Sequence, residues 1–155
     1  MAVSGPERPD AQARDAPARA RRIGLSAIAR LRLALEIVVA YGRARWALRR
    51  TPIEAAVARL RSHGAVDIAS TPETHEQAVR LGWAVTRTLA LVPGDTRCLT
   101  QSLVLTQLLA RRGISARVVI GARARPQFSA HAWVEHEAEP VLKPGDESYG
   151  RLVVL

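Results

Sequence analysis

Residues 95–135 read DTRCLTQSLVLTQLLARRGISARVVIGARARPQFSAHAWVE, from Asp95 to Glu135, and this stretch decides the fold. Leu99, Leu103, Leu105, Leu108 and Leu109 occupy more than one face of a helix that starts near Asp95 or Thr96 and runs to Arg112. A helix apolar on most sides is central to its domain. Gly113 supplies the C-terminal stop. Period 2 and β-branching then take over at Ala116-Arg117-Val118-Val119-Ile120, which predicts a strand. The polar loop 122–127, with its proline, leads to a second strand over 130–137. Short apolar runs at Pro140-Val141-Leu142 and Arg151-Leu152-Val153-Val154-Leu155 predict two more strands.

Upstream, the pattern is helical. Leu31, Leu35, Val38 and Val39 recur at helical spacing with arginines between them, over Ile23 to about Leu48. Gly42 within this run marks a bend or a close helix contact. Thr51-Pro52-Ile53-Glu54 has the form of a capping residue, a first-turn proline and a returning glutamate. Ile53, Val57 and Leu60 form the stripe of that second helix, ended by Gly64. Thr71-Pro72-Glu73 opens a third, whose buried face is Ala78, Leu81, Val85 and Leu89. Trp83 falls off that stripe, so it packs on a neighbour or is partly exposed. Helices first and a small antiparallel sheet last is an α+β pattern, with the Cys98 helix packed on the sheet. Residues 1–20, rich in Pro, Ala, Arg and Asp without apolar period, read as a disordered tail. The expected domain is 21–155, with a helical part over 21–92 and a core over 93–155.

Composition narrows the function classes. One cysteine excludes an internal disulfide and argues for a reducing compartment and against structural zinc. The net charge of +9 comes almost entirely from arginine, with Lys143 the only lysine. The arginines are spread over several helices without interleaved aromatics, which favours a solvated basic surface over a nucleic-acid interface. No secretory signal and no span are visible, and the run from Leu31 to Tyr41 is broken by Arg32 and Glu36. The expected location is cytoplasmic.

Cys98 and His131 are the candidate chemistry. A thiol in the first turn of a helix meets unpaired N–H groups and a dipole that favour its anion. Asp95 can cap that turn. An imidazole on the adjoining strand can take the thiol proton, and the same helix end offers donors to an oxyanion. Trp133 and Glu135 share the strand face of His131, while Ala132, Val134 and His136 point to the other. The remaining histidines, His63, His75 and His136, are scattered and expected at the surface. A third group must hold the imidazole's tautomer. If the turn is Ala138-Glu139, Glu137 faces Pro140 and His131 lies opposite Asp146; Glu135, Glu139 and Glu147 are the alternatives.

The segments Arg97-Cys98-Leu99-Thr100-Gln101-Ser102, Ala110-Arg111-Arg112-Gly113-Ile114, Val119-Ile120-Gly121 and His131-Ala132-Trp133-Val134-Glu135 resemble the transglutaminase-like peptidases of lasso peptide biosynthesis. The resemblance covers about Pro93 to Val141 closely. It implies a cysteine peptidase that removes the leader from a ribosomally made precursor, with Cys98 as nucleophile, His131 as base and Asp146 as the acid. It implies no metal or organic cofactor. It also implies three partners: the precursor peptide, a separate leader-recognition protein and the macrolactam synthetase. Fused relatives carry a leader-binding winged-helix domain, and residues 1–92 lack room for one, so the split form is expected. Relatives often have glycine in the turn after HAWVE, where this chain has His136-Glu137-Ala138-Glu139-Pro140. Two other readings compete: acyl transfer to an amine by the same triad, and a non-catalytic basic adaptor for an acidic peptide.

Overall fold

The computed structural model describes residues 26–61, 71–94, 98–124, 127–141 and 149–155. Among these are four helices, α1 (Ala27–Arg50), α2 (Ile53–Arg61), α3 (Pro72–Leu89) and α4 (Cys98–Ala110). Four strands follow: β1 (Arg117–Arg123), β2 (Ser129–His136), β3 (Glu139–Pro140) and β4 (Gly150–Val154). They form one antiparallel sheet in the order β3-β2-β1-β4. The expected α+β architecture, helices first and sheet last, is the one found. The 1–20 tail, Asp95, Gly64, Leu142, Asp146 and Glu147 lie outside the described residues.

α4 is the axle. Every residue from Ser102 to Leu109 is buried, as is Thr100, and Leu103, Leu105, Leu108 and Leu109 meet α1, α2, α3 and the sheet. The helix ends in a left-handed Gly113 (φ 71°), and the Ile114 N–H reaches back to the Leu109 carbonyl at 3.0 Å. α3 is opened by a reciprocal cap: Thr71 accepts from the Thr74 N–H, and Thr74 Oγ1 accepts from the Thr71 N–H at 2.9 Å. Its buried face is Ala78, Leu81, Val85 and Leu89, as the spacing predicts.

Three expectations are corrected. First, Thr51 closes α1 instead of capping α2, since its hydroxyl donates to the Ala47 carbonyl at 3.0 Å. Second, α1 buries Ile37, Ala40, Tyr41, Ala44 and Ala47, and leaves Leu31, Leu35, Val38 and Val39 exposed. The helical period of those four residues is real, but α1 carries a second apolar face, and that one packs in the core. Third, the β2–β3 turn is Glu137-Ala138, with Glu135 paired to Pro140 and His136 to Glu139. Both turn residues have positive φ, 54° and 66°. That twist matches a two-residue hairpin, and here the chain adopts it without glycine. Pro140 therefore faces Glu135 and not Glu137, and Asp146 itself lies outside the described residues.

β2 separates two environments. Val134 and its cross-strand partner Val118 join the main core with α4. Val119 and Trp133 are buried on the other face, outside that core. Gly121, opposite His131, is needed there: a Cβ at this position would sit 2.9 Å from the Trp133 ring and from the Gly150 carbonyl. The glycine of the Val119-Ile120-Gly121 segment thus makes room for the indole.

Candidate active site

Cys98 is the first residue of α4, so its side chain stands where the helix presents amides without intrahelical partners. No acid occupies the described first turn to oppose an anion there. Its thiol is free and half-buried. His131 comes from β2, whose pairing with β1 fixes the backbone beneath it. Both residues line one cavity of about 630 Å³. Trp83 and Thr86 of α3, Gln101 and Ser102 of α4, and Val141 after β3 complete much of its wall. The four consecutive residues from His131 to Val134 all contribute, so the cavity runs along β2. The volume suits a few residues of a peptide or a small acyl group. Trp83, 58% exposed, stands in this wall.

The imidazole is oriented by aromatic rings. His131 stacks on Trp133, with centroids 6.3 Å apart and an interplanar angle of 18°, and Tyr149 packs at 5.4 Å. Trp133 is fixed in turn, its Nε1 donating to Glu135 Oε1 at 2.8 Å. Arg151 donates to the same oxygen at 2.7 Å. Glu135 is 4% exposed, and this charge-assisted pair compensates its burial. Tyr149 is tied by the Ser129 hydroxyl, which donates to Tyr149 Oη at 3.1 Å, and by the Arg123 guanidinium 5.3 Å above its ring. Burial pushes the His131 imidazole below its ordinary value of 6.5. Near neutral pH the ring is held uncharged and able to accept a proton.

The structure thus brings Cys98 and His131 to one cavity wall, as expected from sequence. Among the described residues the two are not hydrogen-bonded to each other. Catalytic hydrogen bonds in ligand-free sites commonly tighten only with substrate. Asp146 and Glu147 lie outside the described residues. Glu135 shares the face of His131, but its carboxylate serves Trp133 and Arg151; Glu139 is exposed and 3.8 Å from His75. His136 is 3% exposed, against the surface position expected of it. Its Nδ1 donates to the Ser115 carbonyl at 2.7 Å and its ring stacks on half-buried His75 at 5.9 Å, which absorbs its polarity without a role in the cavity. His63 lies outside the described residues. Among the described residues no cluster of His, Cys, Asp and Glu is arranged to hold a metal ion, and no helix is long and apolar enough to cross a membrane.

Two contributors were missed from sequence. Tyr149 flanks the imidazole from beyond the β2–β3 hairpin, and no local pattern marks it. Trp83 carried a signal, an indole off the buried stripe of its helix.

Comparison with known proteins agrees with this construction. No curated protein and no solved structure matches the chain. A family model described as the transglutaminase-like superfamily matches residues 31–154, a span that takes in most of α1, the Cys98 helix and all four strands. Proteins of this kind carry thiol chemistry of the cysteine-protease or acyltransferase type, on a fold that typically uses Cys, His and Asp. With its single cysteine heading α4 and its histidine on the adjoining strand, the chain belongs to the transglutaminase-like superfamily.

Proposed function

We propose that this protein is a cysteine peptidase that removes the leader from a ribosomally made lasso peptide precursor, acting with a separate leader-recognition protein. The observation that carries the reading is the shared cavity: a thiol at a helix N-terminus and an uncharged imidazole line the same peptide-sized space. The resemblance of the RCLTQS, RRGI, VIG and HAWVE segments to the lasso peptidases supports the narrower substrate class.

In this reading Cys98 Sγ attacks the scissile carbonyl as His131 takes the thiol proton. The oxyanion is met by backbone N–H groups at the start of α4. Collapse breaks the C–N bond, and the imidazolium gives its proton to the leaving amine, leaving a thioester on Cys98. Water attacks the thioester with His131 as base, which releases the leader carboxylate and the free thiol. The new amine of the core peptide is then available to a separate macrolactam synthetase. Asp146 is proposed as the acid that holds the His131 tautomer.

The test is mass spectrometry of a leader–core precursor incubated with the protein, with and without the recognition protein, and with Cys98→Ala in parallel. One leader-length cut that requires Cys98 and is accelerated by the recognition protein is the expected result. Transfer of the leader to an added amine in preference to water would make the protein an acyltransferase. Binding of the precursor without any cut, unchanged in Cys98→Ala, would leave only an adaptor.

A further inference from the structure

α1 has two apolar faces, and the core uses only one. Ile37, Ala40, Tyr41, Ala44 and Ala47 pack inward. On the opposite side Ile28 is 66% exposed, Leu31 71% and Leu35 63%, and Val38, Val39 and Trp46 are also exposed. Single exposed apolar residues are ordinary, but a contiguous stripe along one helix is not.

The stripe has a definite geometry. Ile28, Leu31, Leu35, Val38, Gly42 and Trp46 follow one another at intervals of three and four residues, the period of a helix–helix seam. Gly42 lies in that seam with open space where its Cβ would be, so a second backbone can approach closely there. At 1.5 Å per residue the stripe is roughly 27 Å long, the reach of a partner helix of five turns. The half-circumference committed to the core leaves this seam narrow, which fits a helix better than the broad apolar face of a helix lying in lipid.

Charge specifies the occupant. At 100° per residue, Arg32, Arg43 and Arg50 fall along one border of the seam. Arg50 and Arg59 flank the exposed Trp46 ring at 5.5 and 5.3 Å, which extends the basic rim onto α2. The only acid in α1 is Glu36, and it is already paired with Arg112 at 2.8 Å and Arg111 at 3.5 Å. A second copy of this face would bring arginine against arginine. We propose that the outer face of α1 docks a partner protein through an amphipathic helix whose apolar seam is bordered by carboxylates. The tryptophan and arginines at its C-terminal end are residue types that carry much of the energy of interfaces. The inference rests on the outer face of α1 and the adjoining edge of α2, and is independent of the peptidase reading.

The experiment uses the full chain and two synthetic four-heptad peptides, with leucine at the seam positions and either glutamate or lysine at the flanking ones. Binding is followed by titration calorimetry and by fluorescence. The glutamate peptide is expected to bind one to one, at least tenfold more tightly than the lysine peptide, and to weaken as salt rises. Leu35→Asp combined with Val39→Asp should lower its affinity at least tenfold without changing the melting temperature, since both positions are exposed. The triple variant Arg32→Glu, Arg43→Glu, Arg50→Glu should reverse the preference between the peptides. Equal binding of both peptides, or of neither, would overturn the proposal. So would dimerisation of the free protein that Leu35→Asp abolishes, or co-sedimentation with phosphatidylglycerol vesicles lost in the same variant.

Discussion

The two faces of β2 solve different problems with the same backbone. Toward the helices, Val134 pairs with Val118 and joins a core built almost wholly from aliphatic side chains. That face is held by close packing and loss of apolar surface from water. Toward the other side, His131, Trp133 and Glu135 alternate along the strand and are tied to one another and to Arg151 and Tyr149 by rings and charged hydrogen bonds. That face is held by direction. The comparison teaches that stability and orientation of the imidazole are carried by separate side chains one residue apart.

The strongest way to break this division is a pair of truncations, one on each face of the sheet. His131→Ala is expected to lower the rate of Cys98 alkylation and of peptide cleavage by roughly 10²–10⁴-fold, the range for loss of a positioned base. Its far-ultraviolet circular dichroism and melting temperature should stay close to those of the parent. Val118→Ala, in the main core and away from the cavity wall, should do the reverse, costing about 2 kcal/mol of stability from lost burial and the cavity left behind, with cleavage per folded molecule nearly unchanged. Urea melts and initial rates on both variants make the check. Equal losses of stability and activity in each would erase the distinction between the faces.

Gly121→Ala sharpens the same comparison. A methyl group would meet the Trp133 ring and the Gly150 carbonyl at 2.9 Å, so the indole must move or the β1–β4 pairing must open. The expected cost is about 1–3 kcal/mol from overpacking. Because His131 stacks on that indole, activity should fall by more than the loss of folded protein explains. A smaller indole substitute, Trp133→Phe, combined with Gly121→Ala should recover part of the stability and little of the activity, since Glu135 loses its indole donor.

How much of this could be read in advance follows from which forces leave a local pattern. The Cys98 helix, the three upstream helices and the strands were legible because apolar period and caps act within a few residues. The α3 face Ala78, Leu81, Val85, Leu89 is such a case. α1 was legible as a helix but not in its orientation, because it carries two apolar faces and helical period alone does not choose between them. The site's alternation, His131 with Trp133 and Glu135, followed from strand geometry. Tyr149 was not legible, since its contact with His131 is made across the sheet. The third acid was sought by counting across the hairpin from a turn at Ala138-Glu139, and the turn lies one residue earlier because Glu137 and Ala138 enter a left-handed conformation that their side chains do not advertise.

That turn yields a smaller prediction. Ala138 has φ 66° with a Cβ, a conformation costing L-residues roughly 1–2 kcal/mol relative to glycine. Ala138→Gly should therefore raise stability by up to about 1 kcal/mol after the added freedom of the unfolded chain is set against it. The β2–β3 register and the cleavage rate should stay as they are. A fall in stability would mean that the Ala138 methyl makes contacts worth more than the strain.

The smallest effect expected is in pH, and it divides the two histidines of β2. Burial lowers the folded-state value of His131 below 6.5, so the unfolded chain takes up that proton first as pH falls. The contribution of a neutral His131 is then fully present above 6.5 and is lost progressively as pH drops through 6.5 toward the folded value. In His131→Asn this acid-side loss should shrink, and urea melts at pH 7.5 and 5.5 on both proteins measure it. Activity should follow the same ring, with the acid limb of the cleavage rate falling below 6.5 for the free enzyme because the base must be uncharged. His136, on the helix face with its Nδ1 hydrogen bond to Ser115, takes no part in the cavity, so His136→Asn should leave the position of that limb unchanged. A limb that moved with His136 instead would transfer the base to the wrong face of the strand and dissolve the distinction on which the site is built.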